Sequence, residues 1–134
     1  MSYGTLVTIE APFGEAVERV RAALAGQGFG VLTEIDVTAT LKAKLGEQME
    51  DYVILGACNP PFAHRALGID RSVGMLLPCN VVVRAAAVGT VVEALDPQVM
   101  VMLTGRPELK PVADEVSRRL AAALAELTPG DGQR

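Results

Sequence analysis

Between Tyr52 and Val83 the chain reads YVILGACNPPFAHRALGIDRSVGMLLPCNVVV, and the prolines in this stretch restrict the fold more than any other feature. Tyr52–Cys58 is short, apolar and bounded by turn residues, so it is expected to be a buried strand. It must stop at Asn59-Pro60-Pro61, because proline has no N–H to donate to a ladder and disfavours helical geometry in the residue before it. Pro61 is suited to the first position of a helix, which then runs from Phe62 to about Gly68. Pro78 precedes a second apolar strand, Cys79–Ala86. Two similar phrases, Cys58-Asn59-Pro60 and Pro78-Cys79-Asn80, therefore mark a strand end and a strand start. They contain both cysteines of the chain, and the one histidine, His64, lies between them.

The remaining elements follow from periodicity. Residues 3–9 favour β-branched types and read as a first strand. Phe13, Ala16, Val17, Val20 and Leu24 recur at helical spacing, so a helix is expected over about 12–26. The glycines of Gly26-Gln27-Gly28-Phe29-Gly30 follow a helix and lead into a strand, the reverse of a dinucleotide-binding turn, and are read as a helix stop. Residues 30–37 form a second strand, with Val31, Thr33, Ile35 and Val37 on one face and Leu32, Glu34 and Asp36 on the other. Glu34 and Asp36 then form part of a solvated face or contribute to a cleft. A short helix over 39–45, capped by Thr38 or Thr40, ends at Gly46. Beyond Ala86, Gly89 turns the chain into a strand at 90–95, and Pro97 and Gly105 bracket a short helix at 98–103. From Pro107 a long helix carries Leu109, Val112, Val116, Leu120, Leu124 and Leu127 inward, with Asp114, Glu115, Arg118 and Arg119 outside. The order predicts an α+β two-layer sandwich: two long helices packed on a mostly antiparallel sheet of four to five strands. The domain is expected to span 1–128, with a frayed tail at 129–134.

Composition narrows the function classes. With 134 residues the chain is one domain, large enough to bury roughly two thirds of its unfolded surface without staples. Twelve basic and sixteen acidic residues give a net charge of −4 with no basic cluster, which disfavours nucleic acid as a partner. The N-terminal residues lack a signal-peptide pattern, no apolar run approaches the ~20 residues of a membrane span, and a cytoplasmic setting is expected. There the cysteines are expected to be thiols. The runs VILGA, NVVV and TVV are apolar on both faces, so the sheet face opposite the helices needs cover, and a second copy in a twofold dimer supplies it.

Taken together, the phrases GFGVLTEIDV, ILGACNPPFAHRAL, LLPCNVVV and TVVEALDP, in this order behind an early helix, resemble the bacterial and archaeal DUF302 family over residues 2 to 127. The resemblance implies a compact α+β domain with helices on a curved, mostly antiparallel sheet, assembling as a homodimer. It implies no activity. The positions that match the family phrases are Glu34, Cys58, Asn59, Pro60, His64, Pro78, Cys79 and Asn80.

Three chemistries suit this constellation. Cys58, His64 and Cys79, with a carboxylate such as Glu34 or water, form a candidate metal site for zinc or another thiophilic ion, although cysteines 21 residues apart lack the paired spacing of a strong zinc motif. Cys58, just before a helix and six residues from His64, is a candidate reactive thiol with His64 as its base, for redox or sulfur-handling catalysis. A third reading is a small-molecule site lined by Glu34, Cys58, Asn59, His64, Cys79 and Asn80. Against all three stands a purely structural or interaction module in which the cysteines are small core hydrophobes. Whether an enzyme is present is left open, and Ser72, His64 and Asp70 lack the nucleophile elbow and oxyanion donors of a hydrolase.

Overall fold

The structure, a computed structural model, describes residues 2–128; the expected tail at 129–134 lies outside them. Five strands form one antiparallel sheet in the order β1-β5-β4-β3-β2: β1 is Gly4–Ile9, β2 Gly30–Asp36, β3 Tyr52–Cys58, β4 Cys79–Ala85 and β5 Thr90–Leu95. Strands β2 to β5 follow one another as a meander, and β1 is added at the far edge against β5. Helix α1, Phe13–Gly26, connects the two edge strands and packs beside α5, Lys110–Leu127. These are the two long helices and the antiparallel sheet that the sequence pattern predicts.

Alternation along the strands decides the core. Val53, Leu55 and Ala57 of β3, Cys79, Val81 and Val83 of β4, and Val92 and Ala94 of β5 face the helices and are buried. They meet Ala16, Val17, Val20 and Leu24 of α1 and Val112, Val116, Leu120 and Leu124 of α5, positions that recur every three to four residues. Arg19 closes this layer by donating to the Leu127 carbonyl at 3.1 Å, a cation at the C-terminal end of α5.

Several local features differ from the sequence reading. The register skips between Val31 and Thr33, so Leu32 sits in a bulge and the two ends of β2 are out of phase. Thr33 and Ile35 consequently stand opposite Gly56 and Ile54 on the face away from the helices, whereas Val31 stands opposite inward-facing Ala57. Helix α2, Val37–Leu45, is capped not by Thr38 or Thr40 but by Asp36, whose Oδ1 accepts from the Ala39 N–H at 2.9 Å. The Thr38 hydroxyl is engaged elsewhere, donating to the Glu50 carbonyl at 2.7 Å. Helix α3 spans Pro60–Ile69, beginning one residue before Pro61. A 3₁₀ turn over Arg71–Leu76 fills the stretch before Pro78, with Asp70 Oδ1 accepting from the Ser72 N–H. After α4, Gln98–Thr104, the chain makes a 3₁₀ turn at Pro107–Leu109 before α5 opens at Lys110. Pro111 explains the break: it has no N–H for the Pro107 carbonyl, so α-helical bonding cannot extend back that far.

The face of the sheet away from α1 and α5 carries a row that crosses all five strands: Leu6, Glu93, Val82, Ile54 and Ile35. Leu6 and Ile35, at the edges, are about half exposed at 52% and 49%. Glu93 is paired there with Arg84, whose Nε donates to its Oε1 at 3.1 Å. Among the described residues no helix is long and apolar enough to cross a membrane.

Candidate functional site

Because β3 and β4 run antiparallel, the end of one lies beside the start of the other, and the two Cys-Asn phrases become neighbours. Ala57 stands opposite Cys79, and Cys58 is the next residue along β3. The same prolines that stop the strands seat them: Pro60 and Pro61 turn the chain into α3 directly after Cys58, and Pro78 lies against Gly56. Both cysteines are free thiols; Cys58 is half-buried and Cys79 is 7% exposed.

Cys58 and Cys79 line one apolar cavity of about 20 Å³, walled by Phe29, Phe62 and Ala66, by Met100 of α4, and by Val112 and Val116 of α5. That space holds about one water molecule. Cys79 also borders a larger depression of about 200 Å³, which it shares with Met75, Leu77, Pro78 and Met100. Burial pushes the Cys79 thiol up to about 11, and a charge on neighbouring Cys58 acts in the same direction. Cys79 is therefore a neutral thiol near pH 7.

Asn59 is buried and acts as a brace. Its Nδ2 donates to the Gln27 carbonyl at 3.2 Å, and Arg119 of α5 donates to the same oxygen, also at 3.2 Å. Arg119 is held in turn by Glu115, at 2.8 Å, and its guanidinium lies 5.2 Å from the centroid of the Phe62 ring. Gly28 permits this meeting: its φ is +86° and a Cβ there would sit 3.2 Å from Asn59 Nδ2.

The other predicted site residues are placed elsewhere. On α3, Phe62, Ala63 and Ala66 face the cavity, so His64 is turned outward and is exposed. Glu34 is exposed and ion-paired with Arg21 of α1. Asn80 is exposed on the opposite face of the sheet, across from Gly56. Of the six predicted ligand-binding residues, Cys58, Asn59 and Cys79 gather at one place, and Glu34, His64 and Asn80 do not line it. Among the described residues no group of three or more His, Cys, Asp and Glu side chains is placed to hold a metal ion, so the Cys58, His64 and Cys79 set is not assembled.

The helix end behind Cys58 also differs from a thiolate-activating one. Pro60 and Pro61 have no N–H, and the N–H groups of Phe62 and Ala63 both bond to the Asn59 carbonyl. No donor of the first turn is left to stabilise a thiolate on Cys58. Arg119, expected on the solvent face of the last helix, braces Asn59 instead, and Met100 of α4 lines the cavity. Neither position carries a local signal of that role.

The model of the family described as "Domain of unknown function DUF302" matches residues 6–127. A solved structure, described as an uncharacterized conserved protein DUF302 from Bacillus stearothermophilus, is 33% identical, with a TM-score of 0.88, covering 95% of this chain and 99% of that one. None of the curated proteins compared matches the chain. The chain belongs to the DUF302 family.

Proposed function

We propose that this protein is a binding domain for a small thiophilic ligand, taken up at the cavity between the end of β3 and the start of β4. The observation that carries this reading is that Cys58 and Cys79 both border one apolar space. A thiol pair suits an electrophilic or Lewis-acidic centre that bonds to sulfur, and a cavity of about 20 Å³ suits a centre of one or a few atoms. A reactive catalytic thiol is less well supported, because His64 points away and the α3 terminus offers Cys58 no free donor.

Arsenite is a suitable probe. Two thiols displace two hydroxyls from As(OH)₃, forming two As–S bonds and releasing two waters, with no change in oxidation state. Calorimetric titration of the reduced protein is expected to give one arsenic per chain, lost in both Cys58→Ala and Cys79→Ala. Absence of binding, or binding that survives in Cys79→Ala, contradicts the reading.

The row on the outer sheet face, apolar except for Glu93, supports a second element, a twofold homodimer. The paired Arg84 and Glu93 give that face both signs of charge, as a self-complementary surface requires. Light scattering at micromolar concentration is expected to give twice the chain mass, and Ile35→Lys is expected to return a monomer. A monomeric wild type overturns this assignment.

A further inference from the structure

The two edges of the sheet are built differently. An open edge strand presents a row of unpaired N–H and C=O groups, and folded proteins blunt such edges with charges, prolines, bulges or cover. β2 is blunted in this way: it has the bulge at Leu32 and two carboxylates, Glu34 and Asp36. β1, GTLVTI, has no charge, no proline and an unbroken register with β5, from Gly4 opposite Leu95 to Ile9 opposite Thr90. One contact shows which way its backbone groups point. The Asp96 N–H donates to the Tyr3 carbonyl at 2.9 Å, so the odd-numbered residues of this strand bond to β5, and Gly4, Leu6 and Thr8 turn their N–H and C=O to the open side. Ser2 agrees with that phase: its hydroxyl donates to the Gly4 carbonyl at 2.7 Å and accepts from the Gly4 N–H at 3.3 Å. Among the described residues nothing bonds to the edge groups of Leu6 and Thr8.

We infer that β1 is a strand-pairing edge and that its occupant is β1 of a second copy, running antiparallel with Leu6 on the twofold axis. In this register Gly4 meets the partner's Thr8, Leu6 meets the partner's Leu6 and Thr8 meets the partner's Gly4. Each of these pairs exchanges N–H···O bonds in both directions, so every group presented at the edge finds its complement. Residues facing each other across an antiparallel pair point to the same side, so the two helical layers share one side and the outer faces join into one surface. Thr5 stands opposite the partner's Val7, a pair of β-branched residues, and no like charges face each other. Both faces of the edge have room for an added strand. A depression of about 530 Å³ is bordered by Gly4 and Leu6 on the outer face, and one of about 350 Å³ by Thr5 and by Ser117 and Ala121 of α5 on the helix side. The strand offers a foreign segment no charge to recognise, since Glu10 stands past its end, whereas its donor and acceptor pattern is its own complement. Pairing about a twofold axis uses both β1 edges and leaves only the blunted β2 edges, so the assembly closes. This contact is separate from the outer-face dimer proposed above, which adds no hydrogen bond to β1.

The test is hydrogen exchange at the Leu6 and Thr8 amides of the full chain as its concentration is raised, in the wild type and in Ile35→Lys, which removes the outer-face contact. In both, these amides are expected to exchange at least about tenfold more slowly at about 1 mM than unbonded amides do. The mass of Ile35→Lys by light scattering is expected to reach twice that of the chain and go no higher. Thr8→Pro removes an edge N–H while leaving the ladder to β5 in place, and is expected to abolish both changes; circular dichroism confirms that it is folded. Leu6 and Thr8 amides that exchange as unbonded groups at every concentration overturn the assignment. So does a mass that climbs without limit, which marks an indiscriminately adhesive edge. The outer-face dimer alone leaves these amides open to solvent, so the two contacts fail separately.

Discussion

Gly56→Val is expected to destabilise the fold by about 2 kcal/mol or more, a sign opposite to that given by strand propensity, which favours valine over glycine by up to about 1 kcal/mol. Gly56 lies in the middle of β3, between Asn80 of β4 and Thr33 of β2. A Cβ at this position would overlap Thr33 Oγ1 and come within 2.8 Å of Pro78 Cγ. The exposed Thr33 side chain can turn away, but Pro78 is fixed by its ring, so the overlap cannot be relieved by a rotamer change alone. Gly14, in the first turn of α1 with open space around it, provides the contrast: Gly14→Ala is expected to stabilise by roughly 0.5–1 kcal/mol. Urea denaturation of the two variants measures both effects. A neutral or stabilising Gly56→Val would mean that Pro78 does not lie against β3, and that the two cysteines are not held as described.

The second large effect is a loss of stability in mild alkali. In the unfolded chain the Cys79 thiol ionises near 9.0, and in the folded chain only near 11, mainly because it is buried. Folding therefore favours the protonated form. Its contribution is fully present below pH 9 and is lost as pH rises to 11, by about 2–3 kcal/mol, since each unit of difference corresponds to about 1.4 kcal/mol. Other groups titrate in this range, so the informative quantity is the difference between the wild type and Cys79→Ala. The wild-type stability is expected to fall more steeply than the variant's between pH 9 and 11. Parallel curves would place Cys79 in contact with water.

Most of the element order was legible because its signals are local. Pro60 and Pro61, Gly46, Gly89 and Gly105 punctuate the chain where the backbone turns, and the apolar stripes of α1 and α5 repeat at the helical period. What escaped depends on partners distant in sequence. The bulge at Leu32 has no glycine to announce it, and it reverses which residues of β2 face the helices. Pairing of β1 with β5 joins positions some eighty residues apart, as between Thr8 and Val91. That Cys58 and Cys79 border one cavity follows from β3 and β4 being antiparallel neighbours, a pairing that neither strand's own sequence announces. His64 is the instructive failure. Its distance of six residues from Cys58 suggested proximity, but helical phase decides direction, and with Phe62 and Ala66 inward the residue midway between them points out. Met100 and Arg119 reach the site from α4 and α5, and no local pattern connects either to Cys58.

These features reduce to one claim, that two thiols brought together by adjacent strand ends form a single ligand site. Anomalous diffraction at the arsenic edge, from crystals of the reduced protein grown with arsenite, tests it most directly. The expected result is one arsenic per chain, in the cavity beside Phe62 and Met100, within bonding distance of both the Cys58 and Cys79 sulfurs. An arsenic bonded to Cys58 alone, or two sulfurs too far apart to share one atom, would contradict it.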